Sequence, residues 1–258
     1  MADIIIEDND GVREVRIDRP AKRNALSRAM YDAMSDALSG AAAAGARAIW
    51  LHGSEECFTA GNDLADFAQA EPGQPSAAMA FLHVLAECET PIVVSVNGAA
   101  VGIGTTLLMH CDLVYCSAGA RFQLPFVNLG LCPEAGSSRL LPAMAGMRRA
   151  AELLLLGEPF PAEIARDAGL VTAVAPTPAE ADAMGRARAA SLAAKAPDAL
   201  HTSRALLRRW TRAEALEAMD AESGEFARLL HGPEAREALR AFQEKRAPDF
   251  QALARAAE

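Results

Sequence analysis

The chain has 258 residues, of which 51% are hydrophobic and 23% charged, with a net charge of −9. This is the composition of a globular protein, long enough for one large domain or for a core with an appendage. The acidic balance argues against nucleic acid or an anionic membrane as a partner.

Cysteine usage and the termini add further limits. Cys57, Cys88, Cys111, Cys116 and Cys132 are odd in number and lack C-x-x-C spacing. Neither a disulfide framework nor a zinc ribbon is indicated, and free thiols in a reducing compartment fit. The start of the chain lacks the basic region and apolar core of a signal peptide, and no apolar run could span a bilayer. Cytoplasm is therefore the expected location.

In chain order, Ile4–Ile6 and Val12–Ile17 read as strands around Asp10-Gly11, a hairpin signal. A loop follows, Asp18-Arg19-Pro20-Ala21-Lys22-Arg23-Asn24-Ala25-Leu26, with three basic residues close together. Ser27 is placed to cap a helix reaching about residue 44, with Met30, Met34 and Leu38 at helical spacing. A strand over Ala46–His52 leads to Phe58-Thr59-Ala60-Gly61-Asn62-Asp63-Leu64, where a glycine after a strand can expose backbone N–H groups. Residues 75–88 read as an amphipathic helix and Pro91–Val96 as a buried strand. The glycine- and alanine-containing segment Gln69–Ala77 reads as mobile.

Asn97 to Thr106 resembles a dinucleotide loop only superficially. Gly102 and Gly104 are present, but the third glycine is not, so what remains is a helix N-terminus with free N–H groups. Strands are expected over Asp112–Cys116, Ala120–Leu124 and Val171–Val174, with Asp112 as a structural anchor. Helices are expected at Arg148–Leu156 and Ala162–Ala168, then at about 178–195, 197–209, 213–230 and 233–245, with Glu214–Glu225 as a solvated face. The composition shift near residue 200 divides the chain into a core, 1–200, and a helical part, 201–258.

The stretch Leu124–Ser138 carries the candidate chemistry. It is apolar, turns at Gly130 and enters what reads as a helix, with Pro133 at its first position. Glu134 follows among small and apolar residues. An apolar wall raises a carboxyl pKa toward that of a useful base, whereas a helix N-terminus lowers it. On this stretch alone, an ordinary acidic first-turn residue stands ahead of a catalytic one. No serine-hydrolase elbow or P-loop occurs, and the five histidines are scattered singly, so no metal site is indicated.

Together these segments resemble the crotonase superfamily, the enoyl-CoA hydratase/isomerase family. The resemblance rests on Arg19-Pro20 with Asn24-Ala25-Leu26, Phe58 to Leu64, Asn97-Gly98 through Gly104 with Cys111-Asp112, and Glu244-Lys245-Arg246. It implies an α/β fold, a spiral of β–β–α units with a helical C-terminal trimerisation region, assembling as a trimer or a dimer of trimers. It implies an acyl-CoA thioester as substrate, with no cofactor beyond the CoA that the substrate carries. The thioester oxygen would lie in an oxyanion hole formed by the N–H groups of Asn62 and Ile103. Preorganised donors of this kind acidify the C2 proton and stabilise the enolate. By the same resemblance Lys22, Arg23, Ala25, Ala60, Gly61, Asp63, Leu64 and Gly102 line the CoA and thioester site. Phe126, Leu129 and Leu131 line the acyl site, and Phe242 and Lys245 contribute to a CoA site at a subunit edge.

The hydratases of this family use two glutamates, which would fall at Thr106 and Phe126; neither carboxylate is present. Pro133-Glu134-Ala135-Gly136 instead resembles the peroxisomal-type Δ3,Δ2-enoyl-CoA isomerases, in which one glutamate at this place is the base. The expected activity is conversion of a 3-enoyl-CoA to a 2-enoyl-CoA. The alternatives are a hydratase using another carboxylate, an isomerase of a ring or epoxide acyl-CoA, and a non-catalytic acyl-CoA-binding protein.

Overall fold

The computed structural model describes residues 2–63 and 76–256. Leu64 and most of the Gln69–Ala77 segment lie outside the described residues. Two sheets organise the chain. The larger has six strands in the order β1 (Ile4–Asn9), β2 (Val12–Ile17), β3 (Ala48–His52), β5 (Ile92–Val96), β7 (Leu113–Ser117) and β10 (Ala173–Ala175). The smaller has β4 (Cys57–Thr59), β6 (Ala99–Val101), β8 (Arg121–Gln123) and β9 (Phe160–Pro161). The β1–β2 and β8–β9 pairs are antiparallel, and all others are parallel.

The order of strands explains the architecture. β3 lies in the large sheet and β4 in the small one; the same alternation holds for β5 and β6, and for β7 and β8. Each such pair is followed by helix, so the chain winds as a spiral of β–β–α turns, as the family resemblance implies. The Asp10-Gly11 hairpin forms as expected, with both residues at positive φ (49° and 78°), which suits the twist of the strands it joins.

β3 and β5 are buried along their whole length because both faces of the large sheet are covered. One face carries the main core, from Ile4 to Ala235. The other meets the helix Pro178–Ala193 through Trp50, Val93, Tyr115, Ala189 and Ala193. That helix approaches closely enough to require glycine: a Cβ on Gly185 would lie 2.1 Å from Ser95 Oγ. Trp50 Nε1 donates to Ser95 Oγ at 2.9 Å, which in turn donates to the Ala181 carbonyl at 3.2 Å.

Several expectations are corrected. The first helix is Arg28–Ser39, ended by Gly40, and the following alanines form turns. The helix expected at Pro133 begins only at Ser137, because Ala135 (φ 62°) and Gly136 (φ 69°) are left-handed and cannot continue a right-handed helix. The two segments 197–209 and 213–230 are one helix, Pro197–Leu230, since no glycine or proline interrupts Trp210-Thr211-Arg212. Residue 200 therefore falls in the first turn of this long helix. Its acidic stretch is not uniformly solvated, because Glu222 is only 7% exposed. Asp112 is the anchor expected: its carboxylate accepts from Ile92 N–H at 2.8 Å and from Arg204 Nε at 2.8 Å.

Candidate active site

Two neighbouring strands of the small sheet set the first wall. β4 and β6 run parallel, with Thr59 paired to Ala100. Three residues beyond each partner stand Asn62 and Ile103, so both emerge at the same end of the sheet. Gly61 lies so near the second segment that a Cβ there would be 2.8 Å from the Val101 carbonyl oxygen. Neither the Asn62 nor the Ile103 N–H donates to a backbone carbonyl among the described residues. Ile103 opens the short helix Ile103–Thr106, and Gly102 before it has φ 55° and ψ −118°, which only glycine adopts readily.

The loop Arg19–Leu26 is bonded onto this wall. Asn24, fully buried, accepts from Arg19 N–H at 2.8 Å and donates to the carbonyls of Cys57 (2.8 Å) and Phe58 (3.2 Å). Ala60 N–H donates to Arg23 O at 3.0 Å, and Leu26 N–H to Gly61 O at 2.8 Å. Asp63 N–H returns to Leu26 O at 2.9 Å, and the Asp63 carboxylate accepts from Arg19 Nη1 at 2.7 Å. Lys22 and Arg23 remain exposed, and Ala25 and Ala60 are half-buried. The structure thus brings Lys22, Arg23, Ala25, Ala60, Gly61, Asn62 and Asp63 together, next to Gly102 and Ile103.

The second wall bears Glu134, which is 2% exposed. Its link to the first wall is Thr106, one turn after Ile103, whose hydroxyl donates to Glu134 Oε1 at 3.4 Å. Phe126 and Leu131 are buried in the same contiguous apolar cluster as Ile103, Leu107 and Ala135. Burial, and then the negative charge of Glu222, push the Glu134 pKa up to about 8; the Thr106 hydroxyl opposes this only in part.

Glu134 precedes the helix Ser137–Ala145 as the first residue of a tight turn, in which Ser137 N–H donates to Glu134 O at 3.0 Å. The helix N-terminus does not serve Glu134, contrary to the expectation that it pulls this pKa down. Its free donors are taken by Glu222 from the long helix, which accepts from Gly136 N–H at 2.7 Å and Ser138 N–H at 2.8 Å. Among the described residues, one carboxylate is therefore held by two short hydrogen bonds and the other by a single long one. A buried carboxyl of the second kind can take up and release a proton near neutrality.

Phe242 is 63% exposed at the end of the helix Pro233–Gln243, and Lys245 is exposed just beyond it. Neither makes a hydrogen bond or ion pair to the residues around Glu134 among those described. No group of three metal-ligating side chains occurs among the described residues, and no described helix is long and apolar enough to cross a membrane.

The spiral of β–β–α turns, which carries the buried carboxyl joined through Thr106 to the Ile103–Thr106 helix, is matched by known proteins. The chain belongs to the enoyl-CoA hydratase/isomerase family. It matches that family over residues 7–253. It is 36% identical over 180 residues to enoyl-CoA delta isomerase 2 of Rattus norvegicus, a match that covers 67% of this chain and 46% of the rat protein. The chain thus spans about half the length of that relative. It is 31% identical over 244 residues to a probable enoyl-CoA hydratase of Bacillus subtilis, covering 93% and 95% of the two chains. A crystal structure of an enoyl-CoA hydratase/isomerase from Pseudoalteromonas atlantica superposes with a TM-score of 0.91 at 42% identity, over 96% of this chain and 100% of that one. OdaA of Pseudomonas aeruginosa gives 0.90 at 42%, over 94% and 99%.

Within this member of the enoyl-CoA hydratase/isomerase family, three residues escaped the sequence reading: Asn24 as a buried staple, His110 and Glu222. His110 Nε2 donates to the Ala135 carbonyl at 2.7 Å. Asn24 lies in the Asn24-Ala25-Leu26 motif, which is the local signal for it. His110 and Glu222 lie 24 residues before and 88 residues after Glu134, and no local pattern connects them.

Proposed function

We propose that the protein is an acyl-CoA double-bond isomerase that converts a 3-enoyl-CoA into the conjugated 2-enoyl-CoA, with Glu134 as its one acid/base. The carbonyl oxygen of the thioester accepts hydrogen bonds from Asn62 N–H and Ile103 N–H. Glu134, ionised, takes a proton from C2. The electron pair delocalises over the thioester and the C3–C4 double bond as a dienolate, whose negative oxygen those N–H groups hold. Glu134 then returns the proton to C4, and the double bond stands between C2 and C3. No proton or electron is gained or lost, so the reaction needs no cofactor beyond the CoA of the substrate.

The observation that carries this reading is the state of Glu134: buried, weakly bonded and shifted to a pKa of about 8. Thr106 and Phe126, where the family resemblance places the two hydratase glutamates, offer no carboxylate, and a base with no acid partner suits proton transfer between carbons better than hydration. The buried apolar side chains of Phe126 and Leu131 support a dry acyl site. The exposed Leu206, Leu207 and Trp210 of the long helix fit an assembly of several copies, a trimer or a dimer of trimers.

The test is one assay with two substrates. A 3-enoyl-CoA is followed by the appearance of the conjugated thioester, and a 2-enoyl-CoA by its loss to hydration. Fast conjugation with slow hydration is expected. Fast hydration would overturn the reading in favour of a hydratase, the name borne by several relatives.

A further inference from the structure

The peptide unit between Ala135 and Gly136 has both of its polar ends fixed by buried side chains from other parts of the fold. Its carbonyl accepts from His110 Nε2 at 2.7 Å. Its N–H donates to Glu222 Oε2 at 2.7 Å. His110 closes the turn Leu107–His110 that follows the Ile103–Thr106 helix, and Glu222 comes from the C-terminal third of the long helix. We propose that His110 and Glu222 are positioning residues that grip this one peptide from opposite ends and thereby aim the Glu134 carboxylate.

The argument is geometric. Glu134 stands one residue ahead of the gripped peptide, joined to it through Ala135 at φ 62° and through the bond from Ser137 N–H to Glu134 O at 3.0 Å, so holding that peptide holds the turn that sets where the Cα–Cβ bond of Glu134 can point. The conformation held is not one the chain would choose. Ala135 has φ 62°, a left-handed conformation that a non-glycine residue adopts only against a steric penalty. Such strain persists only where the surroundings over-determine it. Gly136 adopts its φ of 69° without strain but is required by space, for a Cβ there would lie 2.9 Å from the Ala215 carbonyl of the long helix. That helix therefore presses on the turn with its backbone while Glu222 holds it.

The chemistry of the two gripping groups is also telling. A carbonyl can only accept, so His110 presents Nε2 as N–H, and burial depresses its pKa to about 4, leaving it neutral. Its own carbonyl is held by Arg208 Nη2, and Arg208 and His83 oppose its charging. Glu222 faces the N–H groups of Gly136 and Ser138, with the Cys132 thiol near it and Glu134 across the turn. An apolar pair would fill the same space without desolvating a carboxylate and an imidazole. What an apolar pair could not do is fix both ends of one peptide.

This rests on the reading of Glu134 as the base, and the experiment separates the two. Isomerase kinetics are measured on full-length wild type, His110→Gln, His110→Asn and Glu222→Gln, with Glu134→Gln alongside. The protonated carboxyl of Glu134 is followed by infrared spectroscopy as the band that Glu134→Gln lacks. Glutamine at 110 puts an amide N–H where Nε2 stands; asparagine is as polar but too short. His110→Asn is expected to lower kcat about 10–100-fold with KM within about twofold, as a misplacement near 1 Å does, and His110→Gln to recover most of it. Glu222→Gln is expected to lower kcat and to move the Glu134 titration to lower pH, since it removes the nearby negative charge.

Equal kcat in the two His110 variants, with an unmoved Glu134 band, would overturn the proposal even if both melt lower than wild type. If Glu134→Gln keeps full turnover, the base assignment fails. The infrared titration still decides whether residues 110 and 222 govern that carboxyl. If Glu222→Gln does not fold, the His110 pair carries the test.

Discussion

The two walls of the site are built by opposite means. The wall bearing Asn62 and Ile103 is stitched by polar bonds around Asn24 and Thr59, whose hydroxyl donates to Asn24 O at 2.7 Å and accepts from Gly61 N–H at 3.1 Å. The wall bearing Glu134 is embedded in apolar side chains and touched by only a few polar groups. On the proposed function, the difference follows from what each wall would have to do. Backbone donors serve an oxyanion only if their direction is fixed, and a dense hydrogen-bond lattice fixes backbone. A proton carrier needs an environment that leaves its two charge states close in energy, and a dry wall with one weak donor provides it.

The sharpest way to break this contrast is Glu134→Gln. Turnover should fall by at least about 10²–10⁴-fold, the range of a lost general base. The folded protein should remain. Wild-type kcat/KM should rise with pH through about 8, because the free enzyme must shed that proton to act. Stability should move the other way. The folded pKa of about 8 lies above the reference value of 4.5, so the contribution of this group is fully present below 4.5 and is lost as pH rises through about 8. Glutamine does not titrate. The variant should therefore melt above wild type at alkaline pH, by roughly 2–4 °C for each kcal/mol recovered, and the gap should close in mild acid. A flat difference between the two melting curves from pH 5 to 9 would show that Glu134 is not held in its protonated form.

The stitched wall should respond in stability first. Asn24→Ala leaves Arg19 N–H and the carbonyls of Cys57 and Phe58 without their partner. A cost on the order of 1–3 kcal/mol is expected for such buried groups. Alanine also tolerates the φ of 56° less well than asparagine does. Thermal melting should show the loss, with activity falling in parallel. Gly102→Ala breaks no hydrogen bond and should act through the backbone alone. Among the described residues no atom beyond its chain neighbours lies within 4 Å of its would-be Cβ, so the penalty there is conformational, about 1–3 kcal/mol. Because Ile103 follows directly, kcat/KM should drop more than the melting temperature does. A variant with normal kinetics would separate Ile103 N–H from catalysis.

The same contrast explains what the sequence could reveal. For the polar wall the local signal is slight, a glycine after a strand ahead of both Asn62 and Ile103, and it is the family resemblance that singles out these two residues. Glu134 was legible as a carboxyl among apolar neighbours. Its setting was not. Proline at 133 reads as a helix start, but left-handed Ala135 and Gly136 intervene, and alanine gives no warning of that conformation. Glu222 sits on a helix whose neighbours Asp220 and Glu225 are exposed, so its burial depends on contact with a turn 86 residues earlier. Local periodicity carries helix and strand, while partnership between distant ionisable groups is a property of the folded chain alone.

Thr106→Val probes the seam between the walls and should have the smallest effect. Its hydroxyl is the one donor to Glu134 among the described hydrogen bonds, at 3.4 Å, near the limit of useful length. A hydrogen bond in this setting contributes about 0.5–1.5 kcal/mol at best, and valine fills nearly the same volume. The hydroxyl favours the ionised carboxylate, so its removal should raise the Glu134 pKa. The acid limb of the kcat/KM profile should then move to slightly higher pH, with the plateau at high pH almost unchanged. A large loss on the plateau would mean that the hydroxyl does more than tune the base, for it would then take part in handling the substrate. A shift to lower pH would mean that burial at Glu134, rather than this donor, responds to the substitution.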